Sequence, residues 1–289
     1  MANKYRYSKV YIIGSGQLAY DCAEIDKQYL SDVKVFELKV TEGTVLAKLC
    51  DKSGIFYRSV TSKELTETLW AEDEDALIVS AASIYLVPQT VIEKPNFIII
   101  NWHNALLPAH KGRNAEVWAI YCGEQVTGVT WHMITKDIDA GEIICQKEIP
   151  VTDKTTAMSL YREQVSLGKI LFAEFCENLL KGQCKTEKQK ESIESQMHFS
   201  KDIPNEGMLD LNWNITQLSR FLRAMDYGSL LLMGKMRVMY DDTKYEFYRY
   251  CIKQSEDCVQ ERVIDFEEGK LTIKEKDKII ILKGLQEIE

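Results

Sequence analysis

Phe97-Ile98-Ile99-Ile100-Asn101-Trp102-His103-Asn104-Ala105-Leu106-Leu107-Pro108 opens as an unbroken apolar run and closes on two polar side chains spaced two apart. The apolar part reads as a buried strand. Side chains alternate along a strand, so Asn101 and His103 share one face. They fall at the strand's carboxyl end, where open α/β sheets bind ligands. Upstream, Val10–Ile13, Val33–Phe36, Ile55–Tyr57 and Ala76–Ser80 also read as strands. Helical stretches from Gln17, at Val45–Leu49 and at Leu65–Trp70 separate them. Strands alternating with helices predict parallel βαβ units. Downstream come a helix at Ala115–Tyr121, strands near 127–134 and 143–149, and a long amphipathic helix from Thr155 to Lys181. Gly182 to Ser195 is polar and reads as a linker or exposed excursion. A helix from Ile215 to Met225 precedes short strands at 235–240, 245–252, 259–266, 270–275 and 278–283. Turns at Asp241-Asp242 and Glu267-Glu268-Gly269 separate some of them. The predicted architecture is α/β: a Rossmann-like, mostly parallel sheet flanked by helices over residues 1–195, and a small β-rich domain over 196–289.

Composition narrows the classes. With 289 residues and 45% apolar content the chain can bury a substantial core. Its net charge of −8 gives no global attraction to a phosphate backbone. Eight cysteines (22, 50, 122, 145, 176, 184, 251 and 258) include no C-x-x-C pair. Free thiols in a reducing cytoplasm are the expectation, with no metal. The first residues lack an apolar segment of the secretory kind, and no apolar stretch approaches ~20 residues, so neither secretion nor a membrane span is expected.

A third polar group follows the first pair. Gly128-Val129-Thr130-Trp131-His132 leads to Asp137-Ile138-Asp139-Ala140-Gly141. An amide, an imidazole and a carboxylate, each at an element's end, suit acyl transfer to an amine. Asn101 can donate to an oxygen that gains negative charge. His103 can take a proton, and Asp139 can orient the ring and stabilise its charged form. His132 reads as a packed, hydrogen-bonded histidine, and His110 and His198 as surface residues. Lys111-Gly112-Arg113-Asn114 reads as a tight turn in which Asn114 caps the next helix. A competing signal is Gly14-Ser15-Gly16-Gln17-Leu18-Ala19, which fits G-x-G-x-x-A between a strand and a helix, with Glu37 at the end of the next strand. Alone it would predict an NAD(P)-dependent dehydrogenase. It could equally hold an acceptor's phosphate through Gly14 and Ser15.

Asn101-Trp102-His103, Leu107-Pro108, Lys111-Gly112-Arg113, Trp118-Ala119-Ile120, Gly128-Val129-Thr130 and Asp139-Ala140-Gly141 together resemble the folate-dependent formyltransferase family, most densely over 75–150. The resemblance implies transfer of a formyl group from 10-formyltetrahydrofolate to an amine, with Asn101, His103 and Asp139 catalytic and no metal. It implies a pterin pocket walled by Ala82, Ser83, Tyr85 and Val87 on one side. Ile134, Thr135, Asp137, Ile138 and Gly141 form the other wall. It places Lys111, Gly112 and Arg113 beside the acceptor. Ser83-Ile84 stands where relatives often have Tyr-Gly. Lys111-Gly112-Arg113-Asn114-Ala115 replaces the family's usual Arg-Gly and nearby Pro, which points to a different acceptor.

The resemblance extends past the long helix into Leu209-Asp210-Leu211-Asn212-Trp213 and Asp226-Tyr227-Gly228. That tail entry is similar to methionyl-tRNA, amino-sugar and natural-product formyltransferases. Residues 199–289 hold 14 Lys/Arg against 17 Asp/Glu. The segment from Lys39 to Gly54 is not arginine-rich. Both features disfavour transfer RNA as the acceptor. The expected partner is a small amine, free or linked to a carrier or nucleotide, with an amino acid or peptide of specialised metabolism ranked ahead of an amino sugar. A homodimer is left open.

Overall fold

The computed structural model describes residues 4–39, 43–190 and 196–289. The chain folds into two compact units, each discontinuous in sequence. The first comprises Met1–Gly112, Gly128–Ile149 and Glu163–Met197; the second Arg113–Thr127, Pro150–Arg162 and His198–Glu289. Residues 191–195, where the sequence reading ends its first domain, lie outside the described residues, as does part of the 39–54 segment.

In chain order the elements are β1 (Lys9–Gly14), α1 (Gly16–Asp26), β2 (Asp32–Leu38), α2 (Val45–Lys52), β3 (Phe56–Val60), α3 (Ser62–Trp70), β4 (Ala76–Ala81), α4 (Gln89–Ile92) and β5 (Phe97–His103). Then follow β6 (Lys111–Gly112), α5 (Ala115–Cys122), β7 (Val126–Met133), β8 (Ile143–Pro150) and α6 (Ala157–Leu180). The tail adds β9 (Met197–His198), β10 (Met208–Leu209), α7 (Ile215–Ala224), β11 (Met236–Tyr240), β12 (Thr243–Phe247), β13 (Arg249–Glu267), β14 (Lys270–Lys283) and β15 (Gln286–Glu287).

The first unit is built on a seven-stranded sheet ordered β3-β2-β1-β4-β5-β7-β8. Strands β1 to β5 run parallel, and β7 lies antiparallel to β5. Every residue of β4 is buried, as continuous apolar strands covered on both faces should be. On one face Tyr11, Ile13, Phe36, Ile78 and Ile99 pack with Leu65 and Leu69 of α3. These leucines are four apart on one stripe of a helix. A capping box fixes where α3 starts: Thr61 Oγ1 accepts from Glu64 N at 3.1 Å, and Glu64 Oε2 accepts from Thr61 N at 2.7 Å. Elsewhere in this unit Trp131 of β7 meets Phe172 and Phe175 of α6, with ring centroids 5.2 and 5.8 Å apart. The Trp131 indole N–H donates to the Gly168 carbonyl at 2.9 Å. A Cβ at Gly168 would collide with the Trp102 ring, so glycine is needed at that point of α6.

The second unit contains a four-stranded sheet, β10-β11-β12-β15, and a long two-stranded ribbon, β13-β14. The ribbon differs from the sequence reading. The polar stretch 253–258 and the Lys276-Asp277 pair were expected to break it into shorter strands. Instead they stay within β13 and β14 as irregularities, with register shifts between Gln254 and Val259 and between Val259 and Val263, and Lys276 at φ +53°. A two-stranded ribbon can absorb extra residues as bulges, so polarity alone does not end its strands. The turn at Asp241-Asp242 forms as read, with both residues at positive φ between antiparallel β11 and β12. His198 is buried, against the expectation of a surface residue, and stacks on Trp118 at 4.3 Å with a 6° interplanar angle. Among the described residues no helix is long and apolar enough to cross a membrane.

Candidate active site

The end of β5 delivers Asn101 and His103, as period-two alternation requires. The antiparallel register sets His132 of β7 opposite Asn101 and Thr130 opposite His103. The same alternation therefore brings four polar side chains to one face. Asp139 arrives from the loop after β7. Its backbone is left-handed, φ +50°, in a turn closed by Gly141, where a Cβ would overlap the Met133 carbonyl oxygen.

These groups converge. His103 Nδ1 lies 3.5 Å from Asp139 Oδ2. Asn101 Nδ2 is 3.4 Å from Asp139 Oδ1 and 3.1 Å from His132 Nε2. His132 Nε2 is itself 3.4 Å from Asp139 Oδ1. The Gly112 amide donates to Asp139 Oδ2 at 2.8 Å. All three expected catalytic residues are thus within one hydrogen-bonded cluster, and Gly112 joins them through its backbone.

Carbonyl partners assign the ring protons. A carbonyl only accepts, so His103 Nε2 carries a proton toward His110 O at 2.9 Å. In neutral His103 the basic nitrogen is then Nδ1, the one facing Asp139. His132 Nδ1 likewise donates to Met133 O at 2.8 Å, leaving Nε2 to accept from Asn101. Burial lowers the His103 pKa below 6.5, with Asp139 opposing the shift, so the ring is neutral at pH 7 and able to take a proton. Burial pushes the Asp139 carboxyl up. Nearby His103, the close His132 ring and the Gly112 amide, which favour the carboxylate most when the rings are protonated in acid, outweigh that and hold it down at about 2. It is a permanent anion at neutral pH.

At the site, His110 was misread, whereas His132 was read as packed without its partners. His132 is packed, as expected, but it packs against Asn101 and Asp139; its two-residue spacing from Thr130 was visible in the sequence, but the pairing with β5 was not. His110 is buried, not on the surface, at φ +47°, and its carbonyl fixes His103. No periodicity marks a loop residue that acts through its backbone.

The loops expected to wall a pterin both pack on the apolar cluster beneath the sheet edge. Val87 and Ile134 lie against it, and Tyr85 is part of it. The Tyr85 hydroxyl is 2.7 Å from Thr66 Oγ1, so its ring supports the loop from below. Ser83 Oγ accepts from Tyr85 N at 3.0 Å, and Ala82 sits at φ +54°. Thr135 Oγ1 donates to Asp137 O at 3.1 Å, and Ile138 is exposed. Lys111 is half-buried beside Gly112. Arg113 belongs to the second unit, where its amide donates to His198 O at 2.9 Å. Asn114 occupies the N-cap position of α5 but is left-handed, φ 56°, and makes no side-chain cap, contrary to expectation.

The glycine-rich turn is used internally. A Cβ at Gly14 would overlap the Ala81 carbonyl oxygen. Ser15 Oγ donates to Ala82 O at 2.9 Å. Glu37 is buried and accepts from the Thr44 and Tyr57 hydroxyls, each at 2.8 Å. The carboxylate a ribose would need is therefore already engaged. A cleft of 780 Å³ lies within the second unit, lined by Lys154, Arg223, Arg249 and Lys253 among others. Asn101, His103 and Asp139 do not line it.

The family model for formyl transferase matches residues 32–175. A GDP-perosamine N-formyltransferase of Brucella melitensis is 30% identical over 149 residues, 52% of this chain and 56% of that protein. A methionyl-tRNA formyltransferase of Pediococcus pentosaceus is 29% identical over 227 residues, 77% of this chain and 65% of that one. The chain thus matches little more than half the length of the first of these curated relatives. An N-formyltransferase from Helicobacter canadensis, solved with folinic acid and dTDP-3-aminofucose, superposes with a TM-score of 0.75 over 96% of this chain and 99% of its own, at 19% identity. That likeness concerns the fold.

Proposed function

We propose that this chain, which belongs to the folate-dependent formyltransferase family, moves a formyl group from 10-formyltetrahydrofolate to the primary amine of a small substrate. The observation that carries the proposal is the cluster of Asn101, His103 and Asp139 at the carboxyl end of β5, each contact 3.5 Å or shorter.

The amine nitrogen attacks the formyl carbon, a C–N bond forms, and the carbonyl electrons move onto oxygen. Asn101 Nδ2 has two protons. One serves His132 at 3.1 Å; the other makes the longer 3.4 Å contact to Asp139 and is the one available to the new oxyanion. His103 Nδ1 takes the proton the amine loses, and Asp139 stabilises the resulting imidazolium. As the tetrahedral adduct collapses, the bond to the folate N10 breaks and that nitrogen recovers a proton. The products are the N-formyl amine and tetrahydrofolate. The loops 82–87 and 134–141 are proposed as the pterin walls. Lys111, Gly112 and Arg113 are proposed as acceptor contacts within a catalytic region of residues 1–195.

For the acceptor, the GDP-perosamine relative supports a nucleotide-linked amino sugar, now placed ahead of an amino acid or peptide amine. The methionyl-tRNA relative, matched over more of this chain, keeps transfer RNA as the second reading. The test incubates the protein and 10-formyltetrahydrofolate with GDP- and dTDP-linked amino sugars, amino acid amides and methionyl-tRNA, and reads formyl addition by mass spectrometry. Formylation of an amino sugar is expected. No formylated product from any amine, with no rise in Tm on adding 5-formyltetrahydrofolate, would overturn the proposal.

A further inference from the structure

Residues 186–189, after α6, are tied to the sheet and its loops, although the polar stretch they belong to reads as a linker or exposed excursion. Glu187 exchanges two backbone hydrogen bonds with Ile143, at 2.7 and 2.8 Å, and Thr186 donates to the Glu142 carboxylate. Next along it, Gln189 reaches the turn that carries Asp139. Its Nε2 donates to Asp139 O and Gly141 O, both at 2.8 Å. Its Oε1 is buried with no hydrogen-bond partner among the described residues. An unmet buried acceptor costs about 1–3 kcal/mol. What the side chain delivers to the protein is its two N–H groups.

Those N–H groups fall on a strained point. Asp139 is a non-glycine residue at φ +50°, a conformation that persists only where the surroundings impose it. From that backbone its carboxylate reaches His103, His132 and the Gly112 amide together. We propose that Gln189 is a positioning residue for the catalytic carboxylate: by clamping the carbonyls of Asp139 and Gly141 it holds Asp139 in the left-handed turn that presents it to His103. A glutamate of the same shape has no N–H to give and would set a charge against two carbonyl oxygens.

The inference rests on the formyl-transfer reading for its rate consequence, but not for its geometry. The test replaces Gln189 by Met and, separately, by Glu, with the exposed neighbour Lys188→Ala as control. The His103 imidazole is titrated by NMR in protein without substrate, and kcat, KM and Tm are measured. His103 is faced by the Asp139 carboxylate, the His132 ring and the His110 carbonyl; of these, Asp139 is the anion that props up its pKa against burial. In Gln189→Met the His103 titration should move down by about half a unit or more as Asp139 drifts, whereas Gln189→Glu adds an anion of its own and is read by its kcat. The kcat should fall roughly tenfold or more with folate KM within about twofold, since a small misplacement of a catalytic group costs rate. Lys188→Ala should match the wild type. A wild-type His103 titration and kcat in folded Gln189 variants would overturn the inference. So would failure of both to fold, because the clamp would then serve the fold and not the site. A displaced titration in a protein that formylates no amine would discard the formyl-transfer reading and keep this one.

Discussion

Two strands of one sheet finish at the same edge, β1 at Gly14 and β5 at His103, and they finish in opposite ways. The turn after β1 closes on itself: its glycine exists to let the Ala81 carbonyl approach, and its serine hydroxyl is given to Ala82. The end of β5 gathers a neutral base, a permanent carboxylate and an amide whose second proton is weakly held. Both ends carry a motif that reads as functional. What separates them is whether the polar groups are already satisfied by the protein, since a donor or acceptor engaged at good geometry offers a ligand little.

The largest expected effect is at β5. Asp139→Asn or His103→Ala should lower kcat for formyl transfer by about 10³-fold with the Tm nearly unchanged. Single-turnover rates and thermal melts check both halves. The double substitution should cost little more than either single one, because the two residues act as a unit. In the wild type, rate should fall on the acid side as His103 becomes protonated, with the inflection below pH 6.5. Removing the Asp139 charge should move that inflection lower still. If either single variant kept most of its activity, the contrast between the two strand ends would collapse.

At β1 the reverse is expected. Gly14→Ala should cost about 2–3 kcal/mol of stability by overpacking against the Ala81 carbonyl, measured by urea unfolding. Whatever folds should keep its kcat.

The helix that follows this turn is anchored at its far end. Asp26 is fully buried, accepts from Cys176 Sγ at 2.9 Å through Oδ1, and has its pKa raised by burial to about 7. A folded pKa above the unfolded value stabilises at low pH. That contribution is intact below about pH 4 and lost as pH rises through about 7. Asp26→Asn should therefore stabilise the protein at pH 8, on the order of 1–2 kcal/mol, and leave it nearly unchanged at pH 4. Equal effects at both pH values would contradict a buried carboxyl that ionises near pH 7.

The smallest expected effects are again at the turn. Ser15→Ala should cost about 0.5–1 kcal/mol, one exposed hydrogen bond. NAD(P) should leave the Tm where it is, whereas 5-formyltetrahydrofolate should raise it. A rise with NAD(P) alone would reinstate the turn as a cofactor site.

Alternation made much of this legible in advance. Period-two patterning placed Asn101 and His103 together, and the βαβ rhythm gave a mostly parallel sheet flanked by helices. Register between β5 and β7 is not written in either strand alone, so His132 was seen as packing and not as a partner of Asn101. His110 and Gly112 contribute through backbone atoms, which every residue type carries. Gln189 sits in a polar, charged stretch whose composition looked solvated. Only the carbonyls it meets, fifty and forty-eight residues earlier in the chain, give it meaning. Tyr85 was placed at the pterin by resemblance alone; its ring packs into the core, because a loop residue after a buried strand can turn inward as readily as outward.

Trp102 and Trp131 are cross-strand partners and alternate along β5 and β7 with the polar cluster. Each is buried, and the Trp131 indole is pinned to Gly168. The same two strands therefore carry chemistry on one side and chromophores on the other. Any shift of β5 against β7 that moved Asn101 relative to His132 would carry the two indoles with it. With Trp70, Trp118 and Trp213 replaced, the emission of these two indoles is thereby an optical gauge of the candidate site.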